Sequence, residues 1–138
     1  MSNENDVSSM LSSIREKHGK INTIIHASGV LYDGQLHKLD ADSIRSSFGP
    51  KAAGAWWLHK YTCQDKICNF VVYSSIASLF GNVRQANYSA SNSYLDALIR
   101  LRRISNLPGL SIQWPGIADV GMAAAITNDF KMSLNKML

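Results

Sequence analysis

Three short apolar runs alternate with helix-length segments along the 138 residues. The runs read "INTIIHASG", "ICNFVVYSS" and "LSIQW", and each contains a β-branched or aromatic stretch with small or polar neighbours. Strands separated by helices of this length favour a parallel sheet with right-handed crossovers and helices on both faces. The sequence therefore predicts an α/β fold whose strand exits meet at one sheet edge, where such folds bind ligands.

The segments between the runs carry helical patterns. The first, "DVSSMLSSIREKHG", ends at Gly19, and the second begins at a cap, Asp40 or Asp42, with Gly49-Pro50 expected to break or kink it. The last, "QANYSASNSYLDALIRLRRISN", is long and amphipathic. The residues expected on the apolar faces of the first and last helices are Met10, Leu11 and Ile14, and Tyr94, Leu95, Leu98 and Leu101.

Composition places the chain among globular proteins, at 46% hydrophobic and 17% charged residues. No apolar run reaches the ~18 residues that span a membrane, and the opening "MSNENDVSS" lacks the blocks of a signal peptide, so we expect one domain, 1–138, in the cytoplasm. Cys63 and Cys68 are too few for a disulfide framework and are expected to be reduced and buried. Adding His59 gives only three candidate ligands, and no metal site is predicted.

The net charge of +4 is mild. Arg100, Arg102 and Arg103 are expected to form a solvated last turn of the long helix, where cations complement the helix dipole. A nucleic-acid site would need a basic stripe with interleaved aromatics, which the sequence lacks, so no nucleic acid is expected. Contact of the basic patch with an acidic partner or a phosphate stays open.

Residues 74–98, "SSIASLFGNVRQANYSASNSYLDAL", are poor core material at their polar positions. A strand ends in two serines, a glycine loop follows, and a helix begins that carries Tyr88 and, one turn later, Asn92. Taken singly, these are an ordinary helix tyrosine and strand-end hydroxyls. Together they indicate hydroxyls gathered at a ligand-binding sheet edge.

The ordered motifs resemble the ketoreductase domain of polyketide synthases and animal-type fatty acid synthases, a branch of the short-chain dehydrogenase/reductase superfamily. The resemblance runs from about residue 6 to 125 through "DV", "IIHASGVLYDG", "GPKAAGAW", "SSIASLFGNVRQANYSASNSYLDAL", "LPGLSIQW" and "GIADVGMA". It implies a Rossmann-like doubly wound parallel sheet. It also implies NADPH-dependent reduction of a β-ketoacyl thioester held on an acyl carrier protein, beside other synthase domains.

The resemblance implies a role for each of four residues. Tyr88 matches the proton donor, and Ser75 matches the hydroxyl that orients the substrate carbonyl. Asn92 stands where most of the superfamily has a lysine, and Lys51, in "GPKAAGAW", matches the lysine that synthase ketoreductases supply from the preceding helix. Lys51 and Tyr88 are also expected to contact the cofactor.

The chemistry of ketone reduction explains these residue types. A proton must reach the carbonyl oxygen as hydride reaches the carbon, so an acid must lie within hydrogen-bond reach. Tyrosine has a reference pKa of ~10. An ammonium at ~4 Å in an effective dielectric of ~20 favours the phenolate by ~4 kcal/mol, which lowers that pKa by ~3 units. Ser75 would donate to the developing alkoxide, and Asn92 would hold a water or the lysine in line.

Further cofactor and substrate contacts follow from the same resemblance. Those expected beside the cofactor are Asp6 and Val7 at the adenine, Ala27, Ser28 and Gly29 along the ribose side, and Pro115 and Gly116 at the carboxamide. Asp33, in "LYDG", keeps the last aspartate of a family L-D-D loop and is expected to orient substrate. Met122 begins the expected substrate lid.

No glycine-rich strand-to-helix turn occurs in the sequence, and such turns hold cofactor phosphates. The sheet is therefore expected to be incomplete, with the N-terminal nucleotide-binding half missing. Two interpretations stay open. The chain is part of a synthase ketoreductase whose phosphate contacts lie upstream, or it is a truncated, catalytically incompetent fragment that acts as a binding or scaffold module.

Overall fold

The structure, a computed structural model, describes residues 1–117. Its regular elements alternate as the sequence predicts. In chain order they are α1 (Glu4–His18), β1 (Thr23–His26), a 3₁₀ turn (Leu36–Lys38), α2 (Ala41–Phe48), a π-helical turn (Gly49–Ala53), α3 (Gly54–Thr62), β2 (Asn69–Ser75), α4 (Ala77–Phe80), α5 (Ala86–Ile104) and β3 (Leu110–Trp114).

The three strands form one parallel sheet in the order β1-β2-β3, which confirms the predicted fold class. Ile24 lies opposite Phe70 in the first pair, and Ser75 lies opposite Trp114 in the second. Parallel pairing brings the carboxyl ends of all three strands to the same edge. The exits of β1, β2 and β3 therefore open side by side.

One face of the sheet carries the core. Ile24, Phe70 and Val72 alternate along β1 and β2 and form one buried cluster with side chains of α1, α3 and α5. The intervening Ile25 is 62% exposed and Tyr73 is half-buried. Since successive strand residues point to opposite faces, the long helices of the described residues cover a single face, which differs from the expected cover on both.

The helix α1 ends as the sequence predicts, at Gly19 with a φ of 82°, a conformation that glycine adopts without a side-chain clash. Its buried residues are Val7 and Leu11, whereas Met10 and Ile14 are 39% and 37% exposed. The expected apolar face is thus confirmed at Leu11 only. Val7, about one turn from the helix start at Glu4, also packs in the core, although the sequence pattern did not select it.

Gly49-Pro50 does not break the second helix but widens it into the five-residue π-helical turn between α2 and α3. Asp40 caps the start of α2, because its carboxylate accepts from the backbone N–H of Ser43 at 2.8 Å. Proline lacks an N–H and its ring clashes with the carbonyl of a regular helical turn, and a wider turn relieves both problems. Lys51 follows Pro50 directly, so it lies inside this irregular turn.

The buried face of α5 is rotated from the expected one. Leu95 and Leu98 are buried as predicted, but Tyr94 and Leu101 are 37% and 46% exposed. The positions they were expected to fill belong to Ile99 and Arg102. The buried stripe of α5 is therefore displaced by one residue from the stripe that the hydrophobic pattern predicts.

Arg102 contradicts the expectation of a solvated basic turn, because it is only 1% exposed. Its guanidinium lies 3.8 Å from the centroid of the Phe70 ring, and its Nε donates to the Pro108 carbonyl at 2.8 Å. A further N–H donates to His59 Nδ1 at 3.0 Å. Stacking and hydrogen bonds thus satisfy a cation that the sequence pattern assigns to solvent.

The two cysteines also differ from the expectation of burial. Cys63 is half-buried and Cys68 is exposed, and both are free thiols. Within residues 1–117, no helix is both long and apolar enough to cross a membrane. The same residues contain no cluster of histidine, cysteine, aspartate and glutamate suited to a metal ion.

The rotated face of α5 generates a paired stability test. Leu95→Ala removes a side chain that is 0% exposed and leaves a cavity, so we expect a loss of about 2–5 kcal/mol in the free energy of unfolding. Leu101→Ala is the matched control, because Leu101 is 46% exposed, and it should change stability by less than ~1 kcal/mol. Urea unfolding measures both, and equal losses would contradict the observed face.

Candidate active site

A crevice of about 440 Å³ lies at the carboxyl edge of the sheet. All three strand exits contribute to its lining, as the sequence predicts for a ligand site. The residues at its wall that were expected to act in catalysis or cofactor binding are Ala27, Lys51, Ser75, Tyr88, Pro115 and Gly116. Segments far apart in sequence thus meet around one space.

Lys51 is the most constrained cation of this crevice, with only 3% of its surface exposed. Its Nζ donates to the Tyr73 carbonyl of β2 at 3.0 Å and lies 5.5 Å from the centroid of the Tyr88 ring. Burial lowers the pKa of Lys51 to about 8, against the opposing attraction of the Asp96 carboxylate. The group is therefore still predominantly an ammonium at pH 7.

Gly29, at the exit of β1, explains how Lys51 reaches that position. A Cβ at residue 29 would lie 2.9 Å from Lys51 Cε and 3.4 Å from its Nζ. Any larger side chain would displace the lysine from its place beside Tyr88. The glycine thus packs against the lysine, whereas Ser28, its neighbour, lines a separate apolar pocket with Met10 and Ile14.

Tyr88 lies in the first turn of α5 and lines the crevice. Asn92, one turn later, is 0% exposed, and its Nδ2 donates to the Tyr88 carbonyl at 2.9 Å. Ser74 donates in turn to the Asn92 carbonyl at 3.3 Å. Asn92 therefore fixes the backbone that carries Tyr88 and does not itself form the crevice wall.

The other amide atom of Asn92, Oδ1, is buried and has no hydrogen-bond partner among the described residues. An unpaired buried acceptor costs about 1–3 kcal/mol. Such an atom favours binding of a donor, either a water molecule or an ammonium. This agrees with the expectation that Asn92 holds a water or the lysine in line, which stays a prediction.

Ser75 is the last residue of β2 and is 9% exposed. Its Oγ accepts from the backbone N–H of Ala77 at 3.2 Å, at the start of α4. Because the oxygen is used as an acceptor, the hydroxyl proton is free to donate into the crevice. The strand end thus supplies one oriented donor beside Lys51 and Tyr88.

Asp33 does not line the Tyr88 crevice but belongs to a neighbouring pocket with Tyr32 and Arg84. Gln85 Nε2 donates to both Asp33 carboxylate oxygens, at 3.0 and 3.1 Å. The Gly34 N–H donates to the Arg84 carbonyl at 2.8 Å. The loop after β1 is thus fastened to the turn that precedes Tyr88.

Asn87 adds a third bond to the same pair of segments, since its Nδ2 donates to the Tyr32 carbonyl at 2.9 Å. Sequence reasoning missed both Gln85 and Asn87. Their signal is position, because they lie three residues and one residue before Tyr88, on the turn that delivers it. Polar residues so close to an expected proton donor are candidates for placing it.

Asp6 and Val7 lie near the start of α1, where Asp6 is exposed and Val7 is 1% exposed in the core cluster. Their contact with an adenine stays a prediction. Met122 lies outside the described residues.

Two more crevice neighbours were missed by sequence reasoning. Trp114, the last residue of β3, lines the crevice and packs its ring 5.5 Å from that of Tyr73. His26, the last residue of β1, is 3% exposed and its Nε2 lies 2.8 Å from the Lys51 carbonyl. Both stand at strand exits, which was the available signal.

Comparison with known proteins identifies the class to which this fold and crevice belong. A family model for the KR domain matches residues 1–119. The spectinabilin polyketide synthase system protein NorB of Streptomyces orinoci is 38% identical over 127 residues, which are 91% of this chain and 6% of NorB. The chain therefore belongs to the KR domains, the ketoreductases of polyketide synthases within the short-chain dehydrogenase/reductase superfamily.

Solved structures agree with the sequence comparison. A ketoreductase domain from the bacillaene assembly line superposes with a TM-score of 0.84 at 27% identity, covering 95% of this chain and 33% of that one. An alcohol dehydrogenase from Thermococcus sibiricus, solved with 5-hydroxy-NADP, reaches a TM-score of 0.80 at 16% identity over 88% of this chain and 54% of that one, which shows the shared fold alone. The resemblance predicted from the motifs is confirmed. The chain spans a small part of its polyketide synthase relatives and about a third of the bacillaene ketoreductase.

The buried ammonium of Lys51 generates a pH test of stability. Since the pKa of Lys51 is about 8 in the fold against 10.5 when unperturbed, the unfolded chain binds more protons between those values. Stability from this group is therefore present above about 10.5 and is lost as the pH falls toward 8, a change on the order of 3 kcal/mol. The unfolding free energy of wild type should rise with pH relative to Lys51→Met.

Chemical denaturation of both proteins from about pH 7 to about pH 11 measures that difference. Lys17→Met, which replaces an exposed lysine of α1, is the control and should follow wild type throughout. A difference between wild type and Lys51→Met that is independent of pH would contradict the burial of Lys51 in its charged form.

Proposed function

We propose that this chain carries the proton-donating part of an NADPH-dependent reduction of a β-ketoacyl thioester to a β-hydroxyacyl thioester. One observation carries the proposal. The buried Lys51 ammonium lies 5.5 Å from the Tyr88 ring centroid, on a crevice that Ser75 also lines. The reaction class comes from the membership of this chain in the KR family of oxidoreductases.

Tyr88 is the proposed proton donor to the carbonyl oxygen of the substrate. The Lys51 ammonium lies 5.5 Å from the centroid of the Tyr88 ring, and a cation there attracts the negative charge of a phenolate. It thereby favours transfer of the phenol proton to the carbonyl oxygen as the alkoxide forms.

Ser75 is the proposed second donor to the same oxygen. Its Oγ is held by the Ala77 N–H at 3.2 Å, which directs the hydroxyl proton away from α4. A donor fixed before the reaction stabilises developing negative charge at no cost of reorganisation. Asn92 acts one step behind, by fixing the Tyr88 carbonyl at 2.9 Å and by offering Oδ1 to a water or to the lysine.

The crevice fits the nicotinamide end of NADPH. Ala27, Pro115 and Gly116 are small or flat and line the wall shared with Lys51 and Tyr88, and the unpaired Asn92 Oδ1 marks a polar interior behind it. When bound there, NADPH supplies the hydride. Gly29 has no side chain, which leaves room for Lys51 beside this wall. No Gly-x-Gly-x-x-Gly occurs in the sequence, so these residues hold only that end.

Substrate and partners follow from the same proposal. Asp33 is proposed to orient the substrate indirectly, through the loop that Gln85 ties to the turn before Tyr88. Met122 is still expected to begin the substrate lid. Relatives such as NorB belong to polyketide synthase systems, which supports other synthase domains as neighbours. The acyl chain is proposed to arrive on an acyl carrier protein, in the cytoplasm.

A second candidate function is a binding or scaffold module without turnover. It is favoured by one observation, the lack of a glycine-rich phosphate turn in the sequence. The two candidate functions differ in whether NADPH must be bound. Only the reductase requires that the crevice bind NADPH together with a phosphate-binding segment.

The proposed donor is tested in a complete reductase that contains this chain together with a phosphate-binding half. Tyr88→Phe should abolish most reduction of a β-ketoacyl thioester and leave NADPH affinity nearly unchanged, because only the transition-state proton is lost. NADPH absorbance follows turnover. Tyr94→Phe, a tyrosine of the same helix that is 37% exposed, is the control. Wild-type turnover in Tyr88→Phe would refute the assignment.

Two further substitutions separate the roles of the neighbours in the same assay. Ser75→Ala should cost about 10²–10³ in rate, which is typical of one oxyanion donor and less than the loss from Tyr88→Phe. Lys51→Ala should lower the rate at neutral pH, since the phenolate loses the cation that stabilises it. Adding it to Tyr88→Phe should cost little more, because Lys51 acts through Tyr88.

The lack of a phosphate turn generates a binding test on the 138-residue chain itself. A helix N-terminus with a glycine-rich turn normally takes the pyrophosphate, so we expect this chain to bind NADPH weakly or not at all. Titration calorimetry measures the dissociation constant. A value in the micromolar range would contradict the expectation and would mean that the crevice contacts suffice.

A further inference from the structure

We propose that His26 is a positioning residue for Lys51. Its Nε2–H donates to the main-chain carbonyl of Lys51 and fixes the π-helical turn, so that the lysine side chain reaches Tyr88. The proposal rests on the proposed function, because it assigns His26 the task of placing the cation that tunes the proton donor.

The hydrogen bond is short and enclosed. His26 Nε2 lies 2.8 Å from the Lys51 carbonyl oxygen, and both residues are 3% exposed. A carbonyl only accepts, so Nε2 carries the hydrogen. Burial lowers the pKa of His26, and the hydrogen bond to the Lys51 carbonyl opposes that effect in part. The charges of Lys51 and of the N-terminal ammonium lower the pKa further, and the net change is downward. The ring is therefore neutral at pH 7 and donates through Nε2.

The Lys51 carbonyl stands where the helical ladder is irregular. The Gly54 N–H bonds to both the Gly49 and the Lys51 carbonyls, across the junction of the π-helical turn and α3. A shared donor at such a junction leaves each carbonyl weakly held. A donor from outside the helix selects one arrangement of the turn, and His26 at the end of β1 supplies it.

Packing leaves little freedom at either end of this connection. A Cβ at Gly54 would lie 3.3 Å from His26 Cε1, and a Cβ at Gly29 would lie 2.9 Å from Lys51 Cε. The lysine ammonium is then bound to the Tyr73 carbonyl at 3.0 Å. Lys51 is thus held by its carbonyl from β1 and by its ammonium from β2, with the turn between them.

The chemistry of residue 26 argues against a role in packing alone. The equivalent inward position on β2 is filled by Val72, which is 0% exposed. A buried imidazole is costly unless its polar atoms are bonded, whereas an aliphatic side chain fills the same space at no such cost. The imidazole brings one thing that an aliphatic side chain lacks, a donor directed at the Lys51 carbonyl.

The titration of the Lys51 ammonium tests the proposal in the 138-residue chain, without any assay of activity. With [ε-¹³C]lysine, the signal of Lys51 is assigned by its loss in Lys51→Met. Wild type should titrate near a pKa of about 8. His26→Gln places an amide nitrogen near the position of Nε2 and should keep that value. His26→Leu removes the donor, releases the turn and should raise the Lys51 pKa by at least ~1 unit.

Controls separate positioning from general loosening of the fold. His59→Leu removes another histidine hydrogen bond, the one to Arg102, and should leave the Lys51 titration as in wild type. If His26→Leu does not fold, His26→Asn takes its place, because its amide nitrogen matches Nδ1 and stops short of the Lys51 carbonyl. An unchanged Lys51 pKa in the leucine or asparagine variant, or a raised one in His26→Gln, overturns the proposal.

This outcome is distinguishable from failure of the proposed function. Turnover in Tyr88→Phe would refute the role of Tyr88 and leave the coupling of His26 to Lys51 standing. A Lys51 titration that does not respond to residue 26 would refute the positioning role and leave the proton chemistry intact.

Discussion

The buried ammonium of Lys51 is the constraint around which the sheet edge is organised. A cation that is 3% exposed must find oxygen partners, and the Tyr73 carbonyl at 3.0 Å is the direct one. Gly29 is small because Lys51 passes beside it, and the π-helical turn gives the lysine its starting point. The ammonium is thereby held at a fixed position, 5.5 Å from the centroid of the Tyr88 ring. The strand exits, the irregular helix and the crevice all meet at this one side chain.

The elements that the sequence predicts well are those whose pattern is local. Three apolar runs with small-residue exits predicted the strands and their parallel direction, because helices between them leave few other connections. The ordered motifs also indicated a shared site, and Lys51, Ser75 and Tyr88 indeed line one crevice. Their roles in catalysis are proposals, since proximity is what the geometry provides.

The features that escaped prediction depend on contacts between distant segments. Arg102 is buried because Phe70, Pro108 and His59 surround it, and none of these is visible from a helical pattern. The face of α5 rotates accordingly and leaves Leu101 exposed. Tertiary partners, which a single sequence does not reveal, decided each case.

The charge of Lys51 that suits proton transfer works against stability. Below a pH of about 8 the fold carries a buried ammonium that water would solvate better, and the Tyr73 carbonyl and the attraction of Asp96 offset part of that cost. An exposed lysine would cost less desolvation free energy on folding, but water would screen the interaction of its charge with the Tyr88 phenol. The same enclosure that strains the fold therefore strengthens the electrostatic influence of Lys51 on Tyr88. This opposition explains why so many neighbouring contacts, from His26 to Gly29, serve to hold one side chain.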